Sequence, residues 1–325
     1  MSVKLGVLGA GIIAKSFMEA APDVPDLEVA VICDLVEASA RALAKPYGIA
    51  WERDYRAVLE DESLDAVYIA LPHHLHEEVA VASAGAGKHI LLEKPMANSL
   101  EEADRILDAQ KQAGVKLMLG FTHRFHAELE TAKRLIDAGE LGQVTLAVDI
   151  MTTGGQIPEW FWCKEQAGGG VLHVNGAHSF DRLRWLLGSE IVEVFAYAET
   201  YDARKTVEDS TVVAIRFENG AMGTTVHNWV VDFALPFKCD LDLYGTGGAI
   251  RIDTWNALEF SNARHSWVQR RERDDTFQKE IGEFVGAILQ DREPCVTGED
   301  GRRSLACVHA AYESARTGKP VRIND

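Results

Sequence analysis

The chain is short of positive charge. Among its 325 residues, 33 Lys and Arg stand against 50 Asp and Glu, a formal net charge of −17. Such a field repels nucleic acids and anionic lipid surfaces, whose binding depends on neutralising phosphate, so neither nucleic acid nor membrane is expected as a partner. Long apolar runs are also missing. None approaches the roughly 20 residues of a membrane-spanning helix, and the first residues lack the basic segment and apolar stretch of a secretory leader. Cysteine is sparse: Cys33, Cys163, Cys239, Cys295 and Cys307 are odd in number and widely spaced, with no C-x-x-C. That usage points to reduced thiols and a cytoplasmic setting rather than a disulfide framework. No repeat or low-complexity tract is present. What remains is an ordinary globular composition, long enough for about two domains without staples of metal or sulfur.

The first third alternates strand and helix. Short apolar runs at Lys4–Leu8, Glu28–Cys33, Ala66–Ala70, His89–Leu92 and Lys116–Gly120 predict buried strands. Helices are expected from Ile12, over Val36–Tyr47, over His76–Ala86 and over Leu100–Ala113. The last follows Ser99, a natural N-cap, with Glu101 and Glu102 in its first turn. Strands spaced this way imply right-handed βαβ units and a parallel sheet. The pattern changes after about residue 122. One helix, Ala127–Ala138, precedes longer strands at Val144–Met151, Ile191–Thr200, Thr211–Phe217, Met222–Trp229, Lys238–Tyr244 and Ala249–Asp253. Asn219-Gly220 reads as a hairpin turn. Further helices are expected at His178–Leu187, Phe277–Leu289 and Arg302–Arg316.

Gly9-Ala10-Gly11-Ile12-Ile13-Ala14 fits G-x-G-x-x-G/A between a strand and a helix. Gly9 permits the tight turn, and Gly11 lets backbone approach a pyrophosphate at a helix N-terminus. Asp34 lies 23 residues after Gly11, at the end of the second strand, where a carboxylate binds ribose hydroxyls. The expected cofactor contacts are therefore Gly9, Gly11, Ile12, Ile13 and Asp34. A ribose 2′-phosphate beside Asp34 would meet like charge, and the first basic residue that follows is Arg41, so NAD is favoured, with NADP possible. Asp34 acting only as a cap for the next helix would suit either. The fold class is accordingly α/β: an N-terminal Rossmann doubly wound parallel sheet over residues 1–121, and a C-terminal α+β domain over 122–325 with a large, mostly antiparallel open sheet.

Three further stretches carry chemistry. Glu93-Lys94-Pro95 follows the fourth strand, where a lysine points into the ligand crevice of such sheets; the plainer alternative is a surface lysine. Leu71-Pro72-His73-His74-Leu75-His76 ends the third strand. No carboxylate or cysteine cluster accompanies these imidazoles, so no metal is expected, and cofactor contact or helix capping is the reading. Gly168-Gly169-Gly170 leads to His173, Val174, Asn175 and His178, the best general base by residue type, with Asp181 and Arg182 on the same helical face to hold it or to pair with each other. Trp160, Phe161 and Trp162 form either a core cluster or a wall for stacking a sugar.

With these elements in order, the sequence resembles the Gfo/Idh/MocA oxidoreductases (glucose–fructose oxidoreductase, inositol dehydrogenase and rhizopine-catabolism proteins). Ala86-Gly87-Lys88-His89-Ile90-Leu91-Leu92-Glu93-Lys94-Pro95 is the most specific match. Tyr244-Gly245-Thr246-Gly247-Gly248 and Thr317-Gly318-Lys319-Pro320-Val321 fit later landmarks. The resemblance implies an NAD(P)-dependent dehydrogenase acting on CH–OH groups of a sugar, polyol or related cyclic alcohol. Lys94 would orient the reacting hydroxyl and His178 would act as acid/base. Leu71, Pro72, His73, His76 and Glu93 would line the nicotinamide side. Arg124, Trp162 and Asn175 would join Lys94 and His178 around the substrate, and the open sheet would make homodimer or homotetramer contacts. One position departs from the family: Val174 stands where polyol-oxidising members carry Asp. The departure keeps two other readings open, a non-catalytic NAD-binding regulator on the same fold and a glycosidase using tightly held NAD.

Overall fold

A computed structural model describes residues 2–323 apart from 234 and 236. The first elements are β1 (Val3–Leu8), α1 (Ile12–Ala20), β2 (Leu27–Cys33), α2 (Glu37–Ala44), β3 (Ala50–Glu52), α3 (Tyr55–Glu60), β4 (Ala66–Ile69), α4 (His76–Gly85), β5 (His89–Leu92), α5 (Leu100–Ala113) and β6 (Leu117–Leu119). There follow α6 (Ala127–Asp137), β7 (Val144–Thr152), α7 (Lys164–Ala167), α8 (Ala177–Leu187), β8 (Ile191–Glu199), β9 (Ser210–Phe217) and β10 (Met222–Asn228). The last are β11 (Lys238–Gly245), β12 (Gly248–Asp253), β13 (Ala257–Asn262), β14 (Ser266–Arg270), α9 (Thr276–Leu289), α10 (Gly298–Thr317) and β15 (Val321–Arg322).

The chain divides into two compact units. The first holds the residues up to Thr122 together with Asp275–Arg302. Its sheet is parallel, in the order β3-β2-β1-β4-β5-β6. The central strands are largely apolar because helices cover both faces of such a sheet; Val7, Leu8, Val67, Ile69, Leu91 and Leu92 are fully buried. Ser99 caps α5 as expected, its Oγ accepting from Glu102 N at 3.2 Å, while the Glu102 carboxylate accepts from Asn98 N at 2.8 Å. This order reverses direction between β1 and β4, which is where ligands sit in open parallel sheets.

The second unit holds His123–Asp274 and the residues from Arg303 onward. Its nine strands run β14-β13-β12-β11-β7-β10-β9-β8-β15, with β7 and β10 parallel and the other pairs antiparallel. Burial alternates along β9, so one face enters the core. Leu129 of α6 and Phe180, Leu183 and Leu186 of α8 pack there against Ile215, Leu241 and Leu243.

The structure departs from the sequence reading in several places. The helix expected over Val36–Tyr47 is α-helical only to Ala44 and tightens into a 3₁₀ turn at Lys45–Tyr47, where Pro46 removes a backbone donor. β3, α3, β13, β14 and β15 were not anticipated; short edge strands carry little periodicity. Residues 275–302, placed by sequence order with the second domain, pack with the first. Ile281, Phe284 and Val285 of α9 form an apolar stripe, and α9 lies against α1 and β1. Residues 1, 324 and 325 of the expected spans lie outside the described residues. Among those described, no helix is long and apolar enough to cross a membrane.

Candidate functional site

In the first unit the glycine turn leaves β1 and opens α1. Gly9 has φ +107°, and a Cβ there would lie 2.1 Å from the Ala70 carbonyl oxygen, so the fold itself requires glycine. Gly11 differs: a Cβ would meet nothing within 4 Å. Its smallness serves something outside the protein's own packing, as a pyrophosphate against the α1 N-terminus would require. The residues present therefore fit a dinucleotide. Asp34 Oδ2 accepts from Ala10 N and Oδ1 from Val36 N, each at 2.8 Å. The carboxylate thus fastens the turn and the approach to α2, and its further lone pairs stay available to ribose hydroxyls. Ile12, Leu35 and Val36 are exposed around this corner.

The acidic character of the corner exceeds what Asp34 alone implies. β3 and the residues just after it bring Glu52 and Asp54 to the same place; burial, then the charges of Glu52, Asp34 and Asp54, push the Cys33 thiol up to about 12. Arg41 is committed elsewhere, 3.1 Å from Glu37 and over the Trp51 ring at 4.5 Å. Sequence spacing gave no sign of Glu52 and Asp54, because β3 itself was not visible.

Glu93 and Lys94 emerge at the carboxyl end of β5. The Tyr68 hydroxyl donates to Glu93 Oε1 at 2.6 Å, and Lys94 N donates to Oε2 at 3.3 Å. Gly120 admits the carboxylate closely, since a Cβ there would lie 3.1 Å from Oε1. Burial raises the Glu93 carboxyl above its ordinary range, opposed by Lys94 and Tyr68. Lys94 is partly exposed; desolvation lowers its ammonium pKa and the Glu93 charge opposes that. Glu280 of α9, fully buried, is the second carboxyl of this group: burial, then the Glu93 charge, push it well above the carboxylate range. Tyr68 and Glu280 escaped sequence reasoning. A tyrosine within an apolar strand is a signal for the first, because a buried hydroxyl needs a partner. The loop after β4 is tied to the same segment by His76, whose Nδ1 lies 2.9 Å from Pro95 O and whose Nε2 lies 2.9 Å from Leu71 O. Burial pushes His76 down to about 4. His73 is buried beside it, ring centroids 5.6 Å apart, while Leu71 and Pro72 are half-buried. Among the described residues no group of three or more His, Cys, Asp or Glu is placed to hold a metal.

In the second unit a π-helical turn, Leu172–Gly176, runs into α8 and sets His178 in its first turn. Such turns recur at functional sites. Asn175 is buried in it, its Nδ2 without a hydrogen-bond partner, and Val174 is buried and uncharged. Asp181 and Arg182 each take a partner from outside α8. Arg124 donates to Asp181 from Nε at 2.9 Å and from its other nitrogen at 2.6 Å. The expected ligand contact is thereby engaged within its own unit. Arg182, at zero exposure, donates from Nε to Asp149 Oδ2 at 2.6 Å. Ser179 Oγ donates to Asp149 Oδ1 at 2.9 Å and so accepts from His227 Nε2 at 3.0 Å, leaving His227 Nδ1 to accept from Thr211 Oγ1. Burial pushes His227 down to about 4, so the ring is neutral and accepts at Nδ1 in this arrangement.

The same unit contains a cavity of about 720 Å³ lined by Trp160, Trp162, Trp229, Gln156, Lys205 and Asp232 among others. Both of its cations are paired with carboxylates, and Glu159 adds a further negative charge to the lining. The Lys205 ammonium sits 4.0 Å from the Trp162 ring centroid and 3.6 Å from Asp209, and Arg204 pairs with Asp202 and Asp232. Trp160 and Trp162 are thus half-buried cavity residues rather than core, with the half-buried Phe161 stacked on Trp160.

A family model described as an oxidoreductase family with an NAD-binding Rossmann fold matches residues 3–121, and the GFO/IDH/MocA C-terminal domain matches 129–251. A D-xylose 1-dehydrogenase (NADP(+)) of Haloferax volcanii is 32% identical over 98% of this chain and 99% of its own. The chain belongs to the Gfo/Idh/MocA family. It is an NAD(P)-dependent oxidoreductase, and its parallel sheet is the NAD-binding domain. The chain is also similar to a myo-inositol 2-dehydrogenase of Thermotoga maritima, 25% identical over 99% of both chains. Among solved structures, an aldose-aldose oxidoreductase of Caulobacter crescentus, complexed with glycerol, matches with a TM-score of 0.91 at 27% identity over 99% of this chain and all of that one.

Proposed function

We propose that this family member is an NAD-dependent dehydrogenase of an uncharged sugar, polyol or related cyclic alcohol, with Lys94 and His178 handling the hydroxyl proton. The observation that carries the reading is Lys94 at the carboxyl end of β5, its ammonium pKa lowered by desolvation and its backbone pinned to a buried Tyr68–Glu93 pair. Such a group hydrogen-bonds an alcohol and lies closer to the working range of an acid/base catalyst than an ordinary lysine does. The bound nicotinamide supplies the hydride acceptor. Gly9, Gly11, Ile12 and Ile13 hold the pyrophosphate side, Asp34 the ribose, and Leu71, Pro72, His73, His76 and Glu93 the nicotinamide side. His178 takes or returns the hydroxyl proton. Asn175 offers its unpartnered amide to a substrate hydroxyl, Trp162 a face to the ring, and Arg124 completes the substrate side.

Relatives named for xylose and inositol support a neutral substrate. Asp34, Glu52 and Asp54 together support NAD over NADP. At ~4 Å and an effective dielectric of ~20, each carboxylate would oppose a 2′-phosphate charge by about 4 kcal/mol. A quarter of one such term surviving screening still gives roughly fivefold. Self-association is supported by the face of the nine-stranded sheet away from its helices. Tyr197 neighbours Val212, and Met222, Leu146 and Tyr244 stand side by side across three strands, all exposed. An apolar face of this kind marks an interface, read here as a homodimer or homotetramer, to be checked by light scattering. The five unpaired cysteines suit the cytoplasm.

The test is a panel of aldoses, inositols and anhydro-sugars assayed for NADH formation. On the best substrate, Lys94→Ala should lower kcat by about 10²-fold or more, with NADH affinity within a few-fold of wild type. A near-normal kcat would remove Lys94 from the mechanism.

A further inference from the structure

His123 belongs to no motif that the function absorbed, and the structure sets it against His178. The two imidazoles are stacked, ring centroids 4.1 Å apart and planes within 11°, and both are buried. Behind His123 stands Arg182, whose guanidinium donates to His123 Nδ1 at 3.4 Å. Arg182 is itself held by Asp149, by Cys239 Sγ at 3.1 Å and by Thr254 Oγ1 at 3.3 Å. Other groups around the pair include His126 and Trp255, edge-on to His123 at 5.4 and 6.3 Å, and the Arg124–Asp181 ion pair, whose aspartate shares α8 with His178.

We propose that His123 is the positioning residue of His178: a ring kept neutral from behind by Arg182, which holds the His178 plane and stabilises its protonated form. The proposal rests on the reading of His178 as the proton-transfer group. A proton on His123 Nδ1 would displace the Arg182 donor and set an imidazolium against a guanidinium. Two stacked imidazolium rings at this distance would also repel each other. A cation over a neutral aromatic face is attracted instead. The stack therefore carries at most one added proton, on the ring that does not face Arg182.

The experiment is a pH titration of the full-length protein with ¹⁵N-labelled histidine side chains, followed by NMR. The His178 signals are assigned by their loss in His178→Asn, and folding of each variant is checked by circular dichroism. In the wild type, His178 is expected to titrate while His123 keeps one neutral tautomer across pH 5–8. His123→Phe keeps the plate and should leave the His178 midpoint in place. His123→Leu removes it and should lower that midpoint by about half a unit to one unit, the size of a partly desolvated cation–π contact. Independent titration of both rings, an unmoved midpoint in His123→Leu, or an equal shift in both variants would overturn the proposal. The underlying reading is checked separately: His178→Asn turning over the best panel substrate at the wild-type rate would remove His178 from the chemistry without altering the titration result.

Discussion

Asp149→Asn should be among the most damaging single substitutions in the second unit. Asp149 and Arg182 are both at zero exposure, with Nε and Oδ2 2.6 Å apart. Removing the carboxylate charge leaves a guanidinium buried among Cys239, Thr254 and His123, none of which carries its counter-charge. Breaking a buried pair from one side costs about 3–5 kcal/mol, which for a unit of this size is roughly 10 °C or more in Tm. Replacing both partners by apolar residues, Asp149→Leu with Arg182→Met, should cost far less than the two single changes together, a coupling of about 2 kcal/mol or more. Urea unfolding followed by tryptophan fluorescence suits the question, because every tryptophan except Trp51 lies in the second unit. If Asp149→Asn unfolds within about 1 kcal/mol of wild type, the pair is not desolvated and the argument that Arg182 keeps His123 neutral loses its base.

Other outcomes follow from the same geometry. Gly9→Ala should destabilise the first unit by at least about 2 kcal/mol, because its Cβ meets the Ala70 carbonyl. Gly11→Ala should fold as wild type and lose about tenfold or more in NADH affinity, as read by calorimetry. Asp34→Asn should raise the NADP-to-NAD ratio of kcat/KM by roughly fivefold; an unchanged ratio would assign Asp34 to loop fastening alone. His76 and His227 are held neutral with pKa values near 4 against about 6.5 unfolded. Between those values the unfolded chain binds more protons, so stability is present above about pH 6.5 and lost as pH falls towards 4. The loss is of order 3 kcal/mol for each histidine, measurable as a drop in urea midpoint between pH 7 and 4.5; no drop would mean that the rings are not desolvated.

Much of this molecule is local in its sequence. The turn at Gly9–Ala14, the strand before it and the Ser99 cap each rest on a few neighbouring residues, and period and capping chemistry suffice to find them. The places of Lys94 and His178 at the ends of recognisable elements were legible for the same reason, while local spacing left a surface lysine and a structural histidine open as readings. What the chain order could not carry is which distant side chains neutralise each other. Asp181 and Arg182 are adjacent on one helix, yet their partners, Arg124 and Asp149, come from separate segments. α9 returns to the first unit because its apolar stripe finds cover there, bringing Glu280 beside Glu93. Hydrophobic period and turn chemistry are properties of short windows, so sequence alone specified most of the longer elements and the glycine turn, though not β3, α3, β13, β14 or β15. Burial and charge pairing depend on contacts across the whole chain, so the partners of Asp149, Asp181 and Arg182 and the surroundings of Glu93 were settled only in three dimensions.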